Sequence, residues 1–184
     1  MTTEQTPFWV DVADQPLTAA GTAPRLAVVP CPPGGGHLSN ALTSLRNQGI
    51  DVLVSLLTPD ETRILRLEDE PQLARQIGIN YHWFPVPDHS IPASIEDFRQ
   101  LLDLLHRDLR SGKAVAAHCY AGIGRSCLLI ACLLCANGLA PAEAFDRLSD
   151  ARGLRVPDTW LQSQWVQHFA DSLNNPADLP QKSG

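Results

Sequence analysis

Apolar and polar positions along this chain follow two periods, and the switches between them mark the elements. "RLAVV" at 25–29 and "IDVLVSLL" at 50–57 are short apolar runs rich in branched residues, which predicts buried strands, and "INYHWFPV" at 79–86 alternates as a third. Between the first two, Ser39 is expected to cap a helix through about Gln48, with Gly49 ending it. Thr58, with Pro59 at the first helical position and acids behind it, opens another helix ahead of Gly78. The clearest helix is "IEDFRQLLDLLHRDLRS", capped by Ser94. Its apolar positions Ile95, Phe98, Leu101, Leu102, Leu105 and Leu109 recur at helical spacing, and Gly112 follows its end. "AVAA" is then a short central strand, and helices are predicted at about 124–137, 141–151 and 158–173.

Strands separated by helices predict an α/β fold: one domain, with a central, mostly parallel sheet flanked by helices on both faces. Residues 1–24 hold three prolines and little periodicity, so they are expected to be an irregular lead-in with at most a short strand at "FWVDV". The main folded body is expected over 25–173, and the polar segment 174–184 is expected to be a disordered tail. "PCPPGGG" after the first strand is expected to be irregular, and Pro85, Pro87 and Pro92 make the segment after the third strand a rigid loop. No internal repeat or second-domain linker interrupts this order.

Composition narrows the picture. A chain of 184 residues that is 44% hydrophobic closes one core, and its net charge of -6 with scattered arginines repels phosphate backbones and anionic lipid. Nucleic acid and membrane are therefore not expected partners. The start lacks a basic segment followed by an apolar one, and no apolar run approaches the roughly 18 residues of a spanning helix, so a cytoplasmic monomer is expected. Five cysteines, mostly in apolar runs, read as reduced thiols. Cys127, Cys132 and Cys135 read as small core hydrophobes despite the CxxC spacing of the last two. Cys31 reads as more exposed, and a disulfide between it and an oxidised Cys119 is chemically conceivable.

The candidate chemistry sits in "AVAAHCYAGIGRSCLLIACLL", residues 114–134. A strand, a glycine-bearing loop and an immediate helix aim successive backbone N–H groups and the positive end of the helix dipole at one anion. Tyr120, Ala121, Gly122, Ile123, Gly124 and Arg125 would form that anion site, with Gly122 and Gly124 supplying backbone freedom. The same field stabilises a thiolate, which makes Cys119 a candidate nucleophile. Arg125 offers a planar fork for two phosphoryl oxygens, and Ser126 can hydrogen-bond the sulfur and help it leave.

His118, Cys119, Gly122, Gly124, Arg125 and Ser126 together resemble the HCxxGxxRS signature of the cysteine-dependent protein phosphatases. Chain length and the order of "CPP", "GINYHWFPVPD", "AFDRLSDARG" and "WLQSQWVQHF" are similar to the dual-specificity branch, in particular its kinase-associated members. The resemblance implies the cysteine-phosphatase fold and hydrolysis of phosphotyrosine and/or phosphoserine/threonine in a phosphorylated protein. The reaction would pass through a cysteinyl-phosphate, with no metal and no cofactor. It makes Asp88 in "FPVPDHSIP" the general acid and later the base, with His89 a rival donor. His118 becomes a supporting residue that orders the loop, and one of Gln162 and Gln164, better Gln162, the residue that positions water. Two other readings remain: a catalytically silent phosphate-binding module, and a rhodanese-like sulfur transferase, which explains neither Asp88 nor Ser126.

Overall fold

The computed structural model describes residues 5–12, 19 and 21–174, and within them the apolar runs build one five-stranded sheet. The strands are β1 (Phe8–Val10), β2 (Arg25–Val29), β3 (Val52–Ser55), β4 (Asn80–Trp83) and β5 (Ala114–His118), in spatial order β1-β2-β5-β3-β4. β2, β5, β3 and β4 run parallel, while β1 pairs antiparallel with β2 at one edge. The predicted lead-in thus contributes its short strand to the sheet. The central β5 is flanked by β2 and β3, with Val29 and Ser55 both in register with His118, so all three parallel strands end at one level. The loop after β5 emerges there, at the carboxyl edge of the sheet where α/β folds place their ligand sites.

Side chains alternate across the strands and feed two cores. Leu26, Val28, Val52, Val54, Val115 and Ala117 face one layer, while Ala27, Val29, Leu53 and Ala116 face the other. The first layer holds α4 (Ile95–Arg110), α5 (Arg125–Ala136), α6 (Pro141–Arg152) and α7 (Trp160–Asn174); the second holds α1 (Leu38–Asn47) and α3 (Glu70–Ile77). Phe98 of α4 meets Phe84, Trp165 and Phe169 edge-on, tying α4 to α7. Such pairs contribute about 0.5–1.5 kcal/mol each beyond burial.

Several local expectations change. Ser39 is not the cap of α1. His37 occupies that position after a 3-10 turn at Gly35–His37, and the Ser39 carbonyl accepts from Thr43 Oγ1 inside the helix. The helix opened by Thr58 is short, α2 (Pro59–Ile64), and Arg66 in a left-handed conformation turns the chain before α3. Ser94 caps α4 as expected through Asp97 N. Asn174 ends α7, and the tail expected beyond it lies outside the described residues. Among the described residues no helix is long and apolar enough to cross a membrane.

Candidate active site

Residues 119–124 link β5 directly to α5, which begins at Arg125. Cys119 is buried, and its Sγ lies 3.4 Å from Ser126 Oγ in the first turn of α5. Gly122 takes a positive φ of 68°, and this is where the loop needs a glycine's backbone freedom. Gly124 corrects the expectation made for both: its φ is -89°, and crowding explains the glycine. A Cβ there would stand 2.6 Å from Asp158 Oδ2 and 2.9 Å from both amide atoms of Gln162.

The loop's outward carbonyls are taken up by the fold around it, as buried backbone polar groups require. Cys31 N donates to Tyr120 O at 3.2 Å. Arg152, from the last turn of α6, donates to Gly122 O at 2.7 Å and Ala121 O at 3.1 Å, with its guanidinium stacked 3.9 Å from the centre of the Phe8 ring. Tyr120 is 59% exposed beside the loop.

Arg125 is buried and closely held. Its Nη1 and Nη2 donate to Glu61 Oε2 at 2.8 Å and Oε1 at 2.9 Å, and Nη1 also donates to Val86 O at 2.9 Å. Its Nε is buried and has no hydrogen-bond partner among the described residues. Glu61 is presented by a capping box: its Oε2 accepts from Thr58 N and Oγ1, while Thr58 Oγ1 accepts from Glu61 N. Partial burial works to raise the Glu61 pKa, but hydrogen bonds from Arg125 and Thr58 hold it below the usual value. For Arg125 burial pulls down, and Glu61, Cys119 and Asp88 together raise it, so the guanidinium stays charged.

Asp88 lies on the proline-bounded loop, in a turn closed by Ser90 N donating to Pro87 O at 3.0 Å, with His89 at φ 56°. Its Oδ1 is 3.0 Å from Arg125 Nη2 and its Oδ2 3.5 Å from His89 Nε2. The loop thus brings Asp88 to the same guanidinium that borders the nucleophile loop. A buried thiol beside a hydroxyl, a guanidinium with a buried N–H unpaired among the described residues, and a carboxyl from a separate loop are thus brought together at the junction of β5 and α5.

A family model described as "Polymorphic toxin system, DSP-PTPase phosphatase" matches residues 32–139. The chain belongs to this dual-specificity phosphatase family. It is 33% identical over 131 residues to cyclin-dependent kinase inhibitor 3 of Rattus norvegicus, covering 70% of this chain and 61% of that protein. The Homo sapiens protein of the same name is 32% identical over the same length and coverage. The chain therefore spans just over three fifths of these relatives. Among solved structures, kinase associated phosphatase with its catalytic site cysteine changed to serine superposes with a TM-score of 0.83 at 25% identity, over 95% of this chain and 99% of that one.

Within this phosphatase fold, the other predicted residues separate. Gln162 is fully buried and reaches the loop, whereas Gln164 is exposed. Gln162 and Thr159 form a reciprocal cap on α7: Thr159 N donates to Gln162 Oε1 at 3.3 Å and Gln162 N to Thr159 Oγ1 at 3.2 Å. Gln162 Nε2 also donates to Ser90 O at 3.1 Å on the Asp88 loop. His118 turns to the opposite face of the sheet, where its Nε2 is 3.0 Å from Glu70 Oε1, both side chains being buried. Its partner is a carboxylate and not the backbone, and Tyr81 Oη donates to the other Glu70 oxygen at 3.0 Å. Burial alone would lower the His118 pKa, but Glu70, with Cys31 beside it, raises it to about 10. Cys127, Cys132 and Cys135 are buried free thiols in α5, all pushed up by burial, as their reading as core residues predicts.

Sequence reasoning missed Glu61, Arg152 and Asp158. The capping box gave Glu61 a visible local role that concealed its second one. Arg152 and Asp158 carry no local signal, because the loop residues they lie against are 30 or more positions away.

Proposed function

We propose that the chain is a protein phosphatase that hydrolyses phosphotyrosine and/or phosphoserine/threonine through a cysteinyl-phosphate on Cys119. The observation that carries this reading is the buried, unpartnered Nε of Arg125 beside the Cys119 loop, in a guanidinium whose other nitrogens are fixed by Glu61 and Val86. A preorganised donor of that kind stabilises charge on a phosphoryl group without reorganising during the reaction. The phosphoryl oxygens take the loop N–H groups of residues 120–125 and the free side of Arg125, replacing Asp88 at Nη2. Cys119 Sγ attacks phosphorus, the ester bond breaks, and Asp88 gives its proton to the departing oxygen. Ser126 Oγ steadies the sulfur when it leaves in turn. His118 and Gln162 support this centre, the one from behind β5 and the other by tying the Asp88 loop to α7.

The relatives' names, a kinase associated phosphatase and a cyclin-dependent kinase inhibitor, favour a phosphorylated protein as substrate. Loop positions Tyr120, Ala121 and Ile123 bring no lysine into the site, which disfavours a highly charged lipid headgroup. The test is phosphate release from phosphotyrosine and phosphothreonine peptides and a phosphoinositide, with a chelator present, for the parent, Cys119→Ser and Arg125→Lys. Release from a peptide by the parent is expected, with both variants severely impaired, because serine stays protonated and an ammonium cannot reproduce the bidentate fork. Near-parent rates for Cys119→Ser would remove the assignment.

A further inference from the structure

Of the free thiols, Cys31 alone is not buried; Cys119, Cys127, Cys132 and Cys135 are. It stands just past β2, two residues after Val29, whose Cα pairs in register with His118 of β5. Side chains alternate along a strand, so Val29, Cys31 and His118 share one face of the sheet. Val29 and Cys31 accordingly pack with the layer of α1 and α3, whereas Cys119 packs with the other. Cys31 Sγ donates to Pro32 O at 3.4 Å. Its backbone supports the phosphate loop: its N–H donates to Tyr120 O at 3.2 Å, and a Cβ on Gly122 would stand 3.1 Å from Val29 O and 3.4 Å from Pro30 N.

A buried ionic pair faces this thiol. His118 is shut off from solvent, its Nε2 lies 3.0 Å from Glu70 Oε1, and its Nδ1 has no aligned hydrogen bond among the described residues. Cys31 is within reach of the ring: beyond burial and Glu70, it acts on His118 as a hydrogen-bonding group and as a charge. Burial and Glu70 likewise push the Tyr81 phenol up, with a further contribution from Cys31. An imidazolium beside sulfur stabilises the thiolate, which is the attacking form. The ring is fixed by Glu70 and the thiol is open to solvent, which is the arrangement of a reactive cysteine and not of a core one.

We propose that Cys31 is a second reactive thiol of this protein, a modification site for small uncharged electrophiles of the α,β-unsaturated carbonyl class, and that its adduct weakens the phosphate loop from behind β5. The reactivity stands apart from the phosphatase reading, and only the effect on the loop rests on it. Sulfur is a soft nucleophile, and the apolar layer around Cys31, with Trp9 and Leu65 partly buried in it, admits a small uncharged reagent. The S–H bond breaks, with the charge on sulfur balanced by the His118 imidazolium. Sulfur bonds to the β-carbon, the electron pair of the C=C bond shifts to the α-carbon, and that carbon takes up the proton the thiol gave up. Nothing is oxidised or reduced by a third partner. The adduct then bears on Tyr120, through the Cys31 backbone, and on His118, the residue before Cys119.

The probe is N-ethylmaleimide, applied to the whole chain carrying Cys119→Ser so that Cys119 does not compete. Peptide mass mapping of timed, quenched samples gives the labelling rate at each thiol. Native Cys31 should be labelled first, and about tenfold or more faster than the same residue in the urea-unfolded chain, because exposure alone brings a thiol at most to the unfolded rate. Adding Glu70→Gln should bring the native rate down toward the unfolded one. After one equivalent of label, affinity for inorganic phosphate, read by isothermal titration calorimetry, should fall about tenfold, the scale of one well-formed hydrogen bond. With Cys31→Ser added, the reagent should leave that affinity unchanged. A native rate at or below the unfolded rate, a rate indifferent to Glu70→Gln, or unchanged phosphate affinity in the singly labelled protein would overturn the proposal. If Cys31 is labelled as stated but the unlabelled protein binds no phosphate, it is the phosphatase reading that fails, and the effect on the loop falls with it.

Discussion

Glu61 holds Arg125 with both carboxylate oxygens, at 2.8 and 2.9 Å, across 64 positions of sequence. The grip leaves the Nε edge of the guanidinium facing inward and fixes its plane, and the Thr58 cap fixes Glu61 in turn. Replacing Glu61 by Gln keeps the cap but loses one charged acceptor, so Arg125 should be less well oriented. The expected outcome is a fall of about tenfold in kcat/KM and a matching loss of vanadate affinity, read by inhibition kinetics. Thr58→Ala should produce a smaller loss of the same kind, since it frees the Glu61 rotamer without removing the ion pair. Because the Glu61 pKa is depressed, the ion pair is fully formed above the ordinary carboxylate range and is lost as pH falls through the lowered value. Vanadate affinity in the parent should therefore hold steady down to about pH 5.

Arg152 supports the loop from outside. Its two hydrogen bonds hold the Ala121 and Gly122 carbonyls, and in the proposed mechanism the neighbouring N–H groups are then left for the phosphoryl oxygens. Arg152→Ala should weaken oxyanion binding about tenfold, with hydrogen bonds from charged donors contributing about 1.5–3 kcal/mol each when well formed. Phe8→Ala should reproduce part of the loss, because the ring steadies the guanidinium. Unchanged vanadate inhibition in Arg152→Ala would show that the loop holds its shape without this clamp.

The legible part of this structure is the part encoded by neighbours in sequence. Thr58 before Pro59, Ser94 before the amphipathic helix and the strand-loop-helix at Cys119 are each read over a few residues, and each lies where expected. Ser39 misled because a cap residue type sits one position inside α1, where the preceding 3-10 turn has already begun the helical path. Gly124 misled for the opposite reason: its cause is the Asp158 and Gln162 side chains, more than 30 residues on. Glu70 in α3 meeting His118 on β5 is likewise set by how α3 packs on the sheet, and nothing in "LEDEPQ" distinguishes Glu70 from the exposed acids beside it.

The His118–Glu70 pair makes a stability prediction with a sign. The His118 pKa is raised to about 10 from 6.5, so its contribution is fully present below about pH 6.5 and is lost as pH rises through 10. Glu70→Gln removes the charge that holds the imidazolium, and burial then favours the neutral ring. The slope should invert, with the variant losing stability as pH falls below about 6.5. Breaking a buried pair costs about 3–5 kcal/mol, so urea midpoints taken from about pH 5 to about pH 10 should resolve both slopes. Parallel pH profiles for parent and variant would mean that the pair is not charged in the fold.

Asp88 is reached through Arg125 and the proline-bounded turn, and its proposed role is tested by what the leaving group needs. An alkyl phosphate departs as a strongly basic alkoxide and requires a proton, whereas an activated aryl phosphate departs without one. Asp88→Asn should therefore slow a phosphothreonine peptide by about 100- to 10,000-fold and an activated aryl phosphate far less. The basic arm of the pH profile of kcat/KM reports the acid in its protonated form, so it should flatten in the variant, while the acidic arm for the aryl substrate persists. Equal losses for both substrates, with the basic arm intact, would mean that Asp88 only shapes the loop through Arg125. The proton would then come from elsewhere, and His89, 3.5 Å from Asp88 Oδ2, is the next group to replace.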